Sequence, residues 1–149
     1  LLLMRLVCFV IAFTVGRPNP LSFGGMHNER FEPDRAGIVR LVRHPWLAVL
    51  ALWSFAHLIA NGDLAHLLLF GVLFIFASLG GVMIDKRKRR ELGTEWNTIR
   101  SRLKSAPLTS VRLNGDFLLR AVAGILLYGT LISLHPMVIG VDPLVGLIN

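Results

Sequence analysis

The Lys and Arg residues of this chain are gathered into two segments, and four nearly uncharged apolar stretches flank or separate them. Fourteen of the sixteen fall in Gly16–Pro45 (Arg17, Arg30, Arg35, Arg40, Arg43) or Asp85–Phe117 (the run Lys86 to Arg90, then Arg100, Arg102, Lys104 and Arg112). The apolar stretches are Leu1–Val15, Trp46–Ala60, Leu64–Ile84 and Ala121–Gly140. Charged side chains are costly in hydrocarbon, and cytoplasmic loops carry the excess of Lys and Arg. The pattern therefore predicts a bilayer as solvent, with both basic loops cytoplasmic. The connection Asn61-Gly62-Asp63 and the tail Val141–Asn149 then lie outside, and neither has a basic residue.

A span needs about 20 apolar residues. Leu64–Ile84 supplies 21 without a formal charge, and Asn61-Gly62-Asp63 is a turn signal that makes Trp46–Ala60 the other arm of a hairpin. The expected fold is all-α: a polytopic transmembrane helical bundle of about four spans, with a helical hairpin at residues 46–84. Leu1–Val15 is short for a complete span and contains Arg5. Gly16-Arg17-Pro18-Asn19-Pro20 is a poor cleavage site, so residues 1–36 are expected to be a partial first transmembrane segment plus a Gly/Pro-rich loop. Residues 37–145 are expected to hold the remaining spans. Pro45 suits the first turn of the second span, where its missing N–H is no loss.

A soluble protein with a buried apolar helix does not fit, because no amphipathic, water-facing helices exist to enclose such a core. The net charge of +7 invites a nucleic-acid reading. The run Lys86 to Arg90, however, starts where a stop-transfer anchor belongs, and anionic lipid is its expected partner. Glu91–Leu103 has helical periodicity, with Leu92, Trp96, Ile99 and Leu103 on one face; it reads as an interfacial cytoplasmic helix. Asp34–Arg43 reads as a short basic surface helix or a linker. Cys8 is the single cysteine, so neither an internal disulfide nor a Cys-based zinc site is available.

Of the five histidines, His57 and His135 lie within spans and His44 at a span's cytoplasmic mouth. At helical periodicity Trp46, Leu50, Trp53 and His57 fall within about 40° of one another. Gly124, Tyr128 and His135 form a similar stripe on the last span. Both spans run outward, which puts both imidazoles in the outer half. An ionisable group in hydrocarbon must find a partner, and is a functional hypothesis by default. The two readings are interhelical hydrogen bonding, for instance His57 to Tyr128 or a carbonyl, and ligation of a metal or haem. Arg43 and His44, about 20 Å below His57 along a straight helix, could hold an anion or carboxylate.

Arg43-His44-Pro45, the run Ala51-Leu52-Trp53-Ser54-Phe55-Ala56-His57-Leu58-Ile59-Ala60-Asn61-Gly62-Asp63-Leu64-Ala65, and the closing Leu134-His135-Pro136-Met137-Val138-Ile139-Gly140-Val141-Asp142-Pro143-Leu144 closely resemble the NnrU family of bacterial membrane proteins. The resemblance covers most of residues 37–145. It implies a multi-pass protein of the bacterial inner membrane, associated with nitrite and nitric oxide reduction and with components of those reductases as partners. The family is similar to the plant 15-cis-zeta-carotene isomerases, which bind haem b. Through that likeness the His of Ala-His-x-Leu becomes an axial ligand, here His57, and Ser54 stands where a redox-linked Cys would. The implied cofactor is haem b, its second axial ligand coming from an upstream helix with no matching position in this chain. From the residue pattern itself, His57 and His135 are the candidate metal ligands, with Tyr128, Trp53, Arg43 and His44 as further candidate cofactor-binding residues. The likeness also raises cis–trans isomerisation of a carotenoid-like polyene.

A different class comes from Arg-His-Pro followed by a hairpin and Leu92-Gly93-Thr94-Glu95-Trp96. This is similar to membrane methyltransferases that use S-adenosylmethionine, with Arg43, His44, Gly93 and Trp96 at the matching positions.

Overall fold

The computed structural model describes residues 1–106 and 114–145. Arg112, counted above in the second basic segment, lies outside the described residues. The described residues are helical: α1 (Leu2–Thr14), α2 (Ile38–Leu41), α3 (Pro45–Ala60), α4 (Leu64–Leu92), α5 (Thr94–Ser105) and α6 (Gly115–Ile139), with two short 3-10 turns at Asn28–Arg30 and Pro33–Arg35.

Two helices, α4 and α6, are long and apolar enough to cross a membrane. A core helix of a soluble protein passes the same test of composition but is enclosed. In α4 and α6 only 11% and 6% of the most apolar window is buried. Leu68, Val72, Ile75, Phe76, Leu79, Leu118, Leu126 and Met137 all point outward. An apolar exterior on this scale is unfavourable in water and is what a hydrocarbon solvent accommodates.

The helices pack as two antiparallel pairs joined through α1. In the α3–α4 hairpin, Trp53 meets Phe70 edge-on at 5.2 Å and Phe55 meets Phe74 at 5.5 Å. Near its basic end the backbones approach where α4 carries small residues: a Cβ on Gly80 would lie 3.2 Å from the Leu47 methyls, and one on Gly81 3.2 Å from the His44 ring. Ala77 is buried in the same seam. In the α1–α6 pair, Phe13 packs edge-on against Phe117 at 5.1 Å, and Phe9 packs over Gly124. Arg120 of α6 donates to the carbonyls of Ala12 (2.7 Å) and Val15 (2.9 Å). It thereby satisfies acceptors that the end of α1 leaves without intrahelical partners.

The largest buried cluster is at the basic end rather than between the long helices. Leu21 from the first loop and Val39 from α2 pack with Trp96, Ile99 and Leu103 of α5. The amphipathic face of α5, expected to lie on lipid, is therefore covered by protein; an apolar stripe cannot itself distinguish the two. Arg40 ties this cap together by donating to the carbonyls of Lys104 (2.9 Å) and Ala106 (3.0 Å). The basic run also differs from its expected loop: α4 continues as helix to Leu92. Glu91 there pairs with both Arg87 and Lys88, at spacings that suit a helix surface.

Candidate functional site

Three helices and the tail line a half-open cavity of about 200 Å³ toward the hairpin-turn end. Met4 and Cys8 come from α1, Ala56 and His57 from α3, and Tyr128, Leu131, Ile132 and His135 from α6, with Pro143 closing one edge. The three polar residues that periodicity assigned to separate stripes, His57, Tyr128 and His135, thus share one wall system. Trp53 is one layer behind: its indole lies 4.7 Å from the His57 ring, and Phe70 lies 4.8 Å from it and 5.2 Å from Trp53. The three rings form a mutually touching triangle that fixes one edge of the imidazole.

Hydrogen bonding sets which nitrogen is free. Nδ1 of His57 lies 2.8 Å from the Trp53 carbonyl one turn back, and Nδ1 of His135 lies 2.7 Å from the Val141 carbonyl in the tail. A carbonyl only accepts, so in both rings the Nδ1–H donates and the neutral tautomer carries its lone pair on Nε2. Neither Nε2 has a partner among the described residues. Both histidines line the cavity, and a backbone carbonyl on Nδ1 is the kind of partner that fixes the orientation of an imidazole. No interhelical bond joins His57 to Tyr128; His57 is satisfied within its own helix. Pro136 adds a further acceptor, since it has no N–H to give the Ile132 carbonyl.

No group of three or more His, Cys, Asp or Glu side chains close enough to hold a single ion occurs among the described residues. The donors are spread around a space rather than focused on a point.

Arg43 and His44 lie at the other end of α3. Arg43 pairs with Asp85 of α4, while His44 bridges Ser22 through Nδ1 (3.0 Å) and Asp85 through Nε2 (3.0 Å). Burial, followed by the Arg43 charge, pulls the His44 pKa below its ordinary value, and Asp85 opposes this only in part. Asn19 donates to the Arg43 carbonyl at 2.9 Å and its Oδ1 accepts from the Leu21 N–H. These groups satisfy one another and lock the first loop onto the hairpin. Trp96 is in the α5 cluster, 1% exposed, and Gly93 is the left-handed junction between α4 and α5. Neither the His57 cavity nor the cleft between Thr14, Gly24 and Trp46 is lined by Arg43, His44, Gly93 or Trp96. Ser54 is fully buried and donates back to Leu50 O of its own helix at 2.6 Å.

Sequence reasoning did not assign Met4 or Cys8 to this site. The register of α1 against α3 depends on tertiary packing that no local pattern encodes. The glycine-rich loop held a second unmarked contact. Gly24, at φ +77°, lets the Trp46 indole approach so closely that a Cβ would lie 2.4 Å from its Nε1.

These features define an all-helical protein with two helices of membrane-crossing length and composition, built around a cavity with two tautomerically fixed imidazoles. The chain belongs to the NnrU protein family, whose sequence model matches residues 1–143. No curated protein and no solved structure matches it.

Proposed function

We propose that the chain is a multi-pass protein of the bacterial inner membrane that binds haem b through Nε2 of His57 and His135. In this reading α1, α3, α4 and α6 lie in the bilayer, the Asn61–Asp63 turn faces outward, and the α5 cap faces the cytoplasm. The observation that carries it is the pair of histidines that line one largely apolar cavity and whose Nδ1 atoms are each committed to a backbone carbonyl. Haem iron would supply the redox and ligand-binding chemistry. The protein's part is to orient both rings through the Trp53 and Val141 carbonyls and to line the space with Ala56, Leu131 and Ile132. At about 200 Å³ the cavity is smaller than the roughly 300–1,000 Å³ usual for such ligands. Entry of a porphyrin therefore requires α3 and α6 to part around α1.

The cellular role we infer is support of nitrite or nitric oxide reduction, alongside components of those reductases. It rests on NnrU family membership. Purification in mild detergent from haem-replete cells tests the cofactor. A Soret band is expected, weakened in both His57→Ala and His135→Ala; its absence after haem supplementation refutes haem binding. Anaerobic growth of a deletion strain tests the role: normal reduction of nitrite and nitric oxide refutes it.

A further inference from the structure

Arg5 is the one charged residue of α1, and its guanidinium lies over the ring of Tyr128, 5.4 Å from the centroid. It has no acidic partner among the described residues, whereas Arg17, Arg43, Arg102 and Arg120 all do. Its depth makes this unusual. Tyr128 is seven residues into the apolar stretch that starts at Ala121, about 10 Å along a span of about 30 Å. In the membrane-spanning reading Arg5 is therefore well inside the hydrocarbon. An Arg there is expensive unless it faces a cavity or an anion.

Tyr128, the ring it covers, is itself part of the cavity wall. Its phenolic O–H has no hydrogen-bond partner among the described residues. Along α6 the seven residues from Tyr128 to His135 rise about 10 Å. The cavity wall thus carries His135 and, about two turns below it on α6, a phenol without a partner; Arg5, exposed and just outside the lining, covers that phenol's ring.

We infer that the site takes an amphiphile bearing a carboxylate about 10 Å from the group the imidazoles hold, and that Arg5 is the counter-ion of that carboxylate, assisted by Tyr128. The inference rests on the haem reading for the identity of the ligand, where the carboxylate is a propionate, but the charge requirement extends to any apolar acid. Ring faces attract the guanidinium and hold it in position, while the carboxylate supplies the missing negative charge. A charge-assisted hydrogen bond at this depth should contribute about tenfold or more in affinity.

The full chain in nanodiscs is titrated with haemin and with haemin dimethyl ester, followed by the Soret shift, for wild type, Arg5→Gln and Arg5→Lys. A parallel titration uses the fluorescence of cis-parinaric acid and of its methyl ester. Wild type should bind each free acid at least tenfold more tightly than its ester. Arg5→Gln should lose that preference while still binding the esters as wild type does, and Arg5→Lys should keep much of it. Preserved ester binding also excludes a folding defect. If wild type binds haemin and its ester equally and Arg5→Gln changes neither, the Arg5 assignment is wrong and haem binding stands. An Arg5-dependent preference for parinaric acid without any Soret shift means the reverse. Binding of no probe overturns both.

Discussion

His57 of α3 and His135 of α6 border one cavity although α1 lies between their helices, with Met4 and Cys8 forming the wall between them. The α1 helix is held to α6 by Phe13 on Phe117 and by the Arg17–Asp116 and Arg120–Asp116 pairs. Anything that loosens α1 should therefore open the site.

Arg120→Ala tests that dependence. It removes two donors to the exposed end of α1 and one partner of Asp116. The expected loss is about 1–3 kcal/mol of stability, read as a lower melting temperature in detergent, with faster exchange of the α1 amides. A variant with wild-type melting would mean that α1 is held by its apolar contacts alone.

Gly80→Val tests the hairpin. The first added carbon already lies 3.2 Å from Leu47, and branching there leaves Leu47 no unhindered position. Overpacking should cost about 1–3 kcal/mol, whereas Gly71→Val, where nothing lies within 4 Å of an added Cβ, should be close to neutral. Comparing the two melting temperatures separates packing from the loss of a glycine.

How much of this was legible in the residues follows from what each pattern encodes. Spacing along one helix is local, so Trp53 and His57, or Tyr128 and His135, could be assigned to common faces before any fold was known. The cost of a polar group in hydrocarbon then singled out the same residues. What joins the faces is not local. The contribution of Cys8, the burial of Trp96 under Leu21, and the bridge from Ser22 through His44 to Asp85 each need segments far apart in the chain to meet. Arg43 and His44 were read as a possible anion site from proximity in sequence; Asp85, 42 residues from Arg43, already fills that role.

Acid should loosen the basic end through His44. Its folded-state pKa lies below the ordinary 6.5, chiefly by burial, with Arg43 adding and Asp85 and its hydrogen bond opposing. A native state that prefers neutral imidazole binds fewer protons than the unfolded chain. The contribution to stability is thus complete above about pH 6.5 and is lost as pH falls toward the folded value. Melting temperatures at pH 7.5 and 5.5 should differ more for wild type than for His44→Asn. An equal difference would assign the acid sensitivity to other groups.

Orientation is tested by single-cysteine labelling in a Cys8→Ser background. A cysteine at Asn61 should react with an impermeant maleimide added outside intact cells, and one at exposed Ser101 only after lysis. The opposite pattern would invert the topology that the Lys and Arg distribution implies.

The central claim is that both imidazoles hold the iron. Electron paramagnetic resonance of the ferric, haem-loaded protein addresses it most directly, because spin state reports the number of axial ligands. Wild type should be low-spin with two imidazoles, and His57→Ala and His135→Ala should each become high-spin, with low-spin character restored by added imidazole. A low-spin signal unchanged in either variant would contradict the account, since the ligand that the geometry assigns to that histidine would then come from elsewhere.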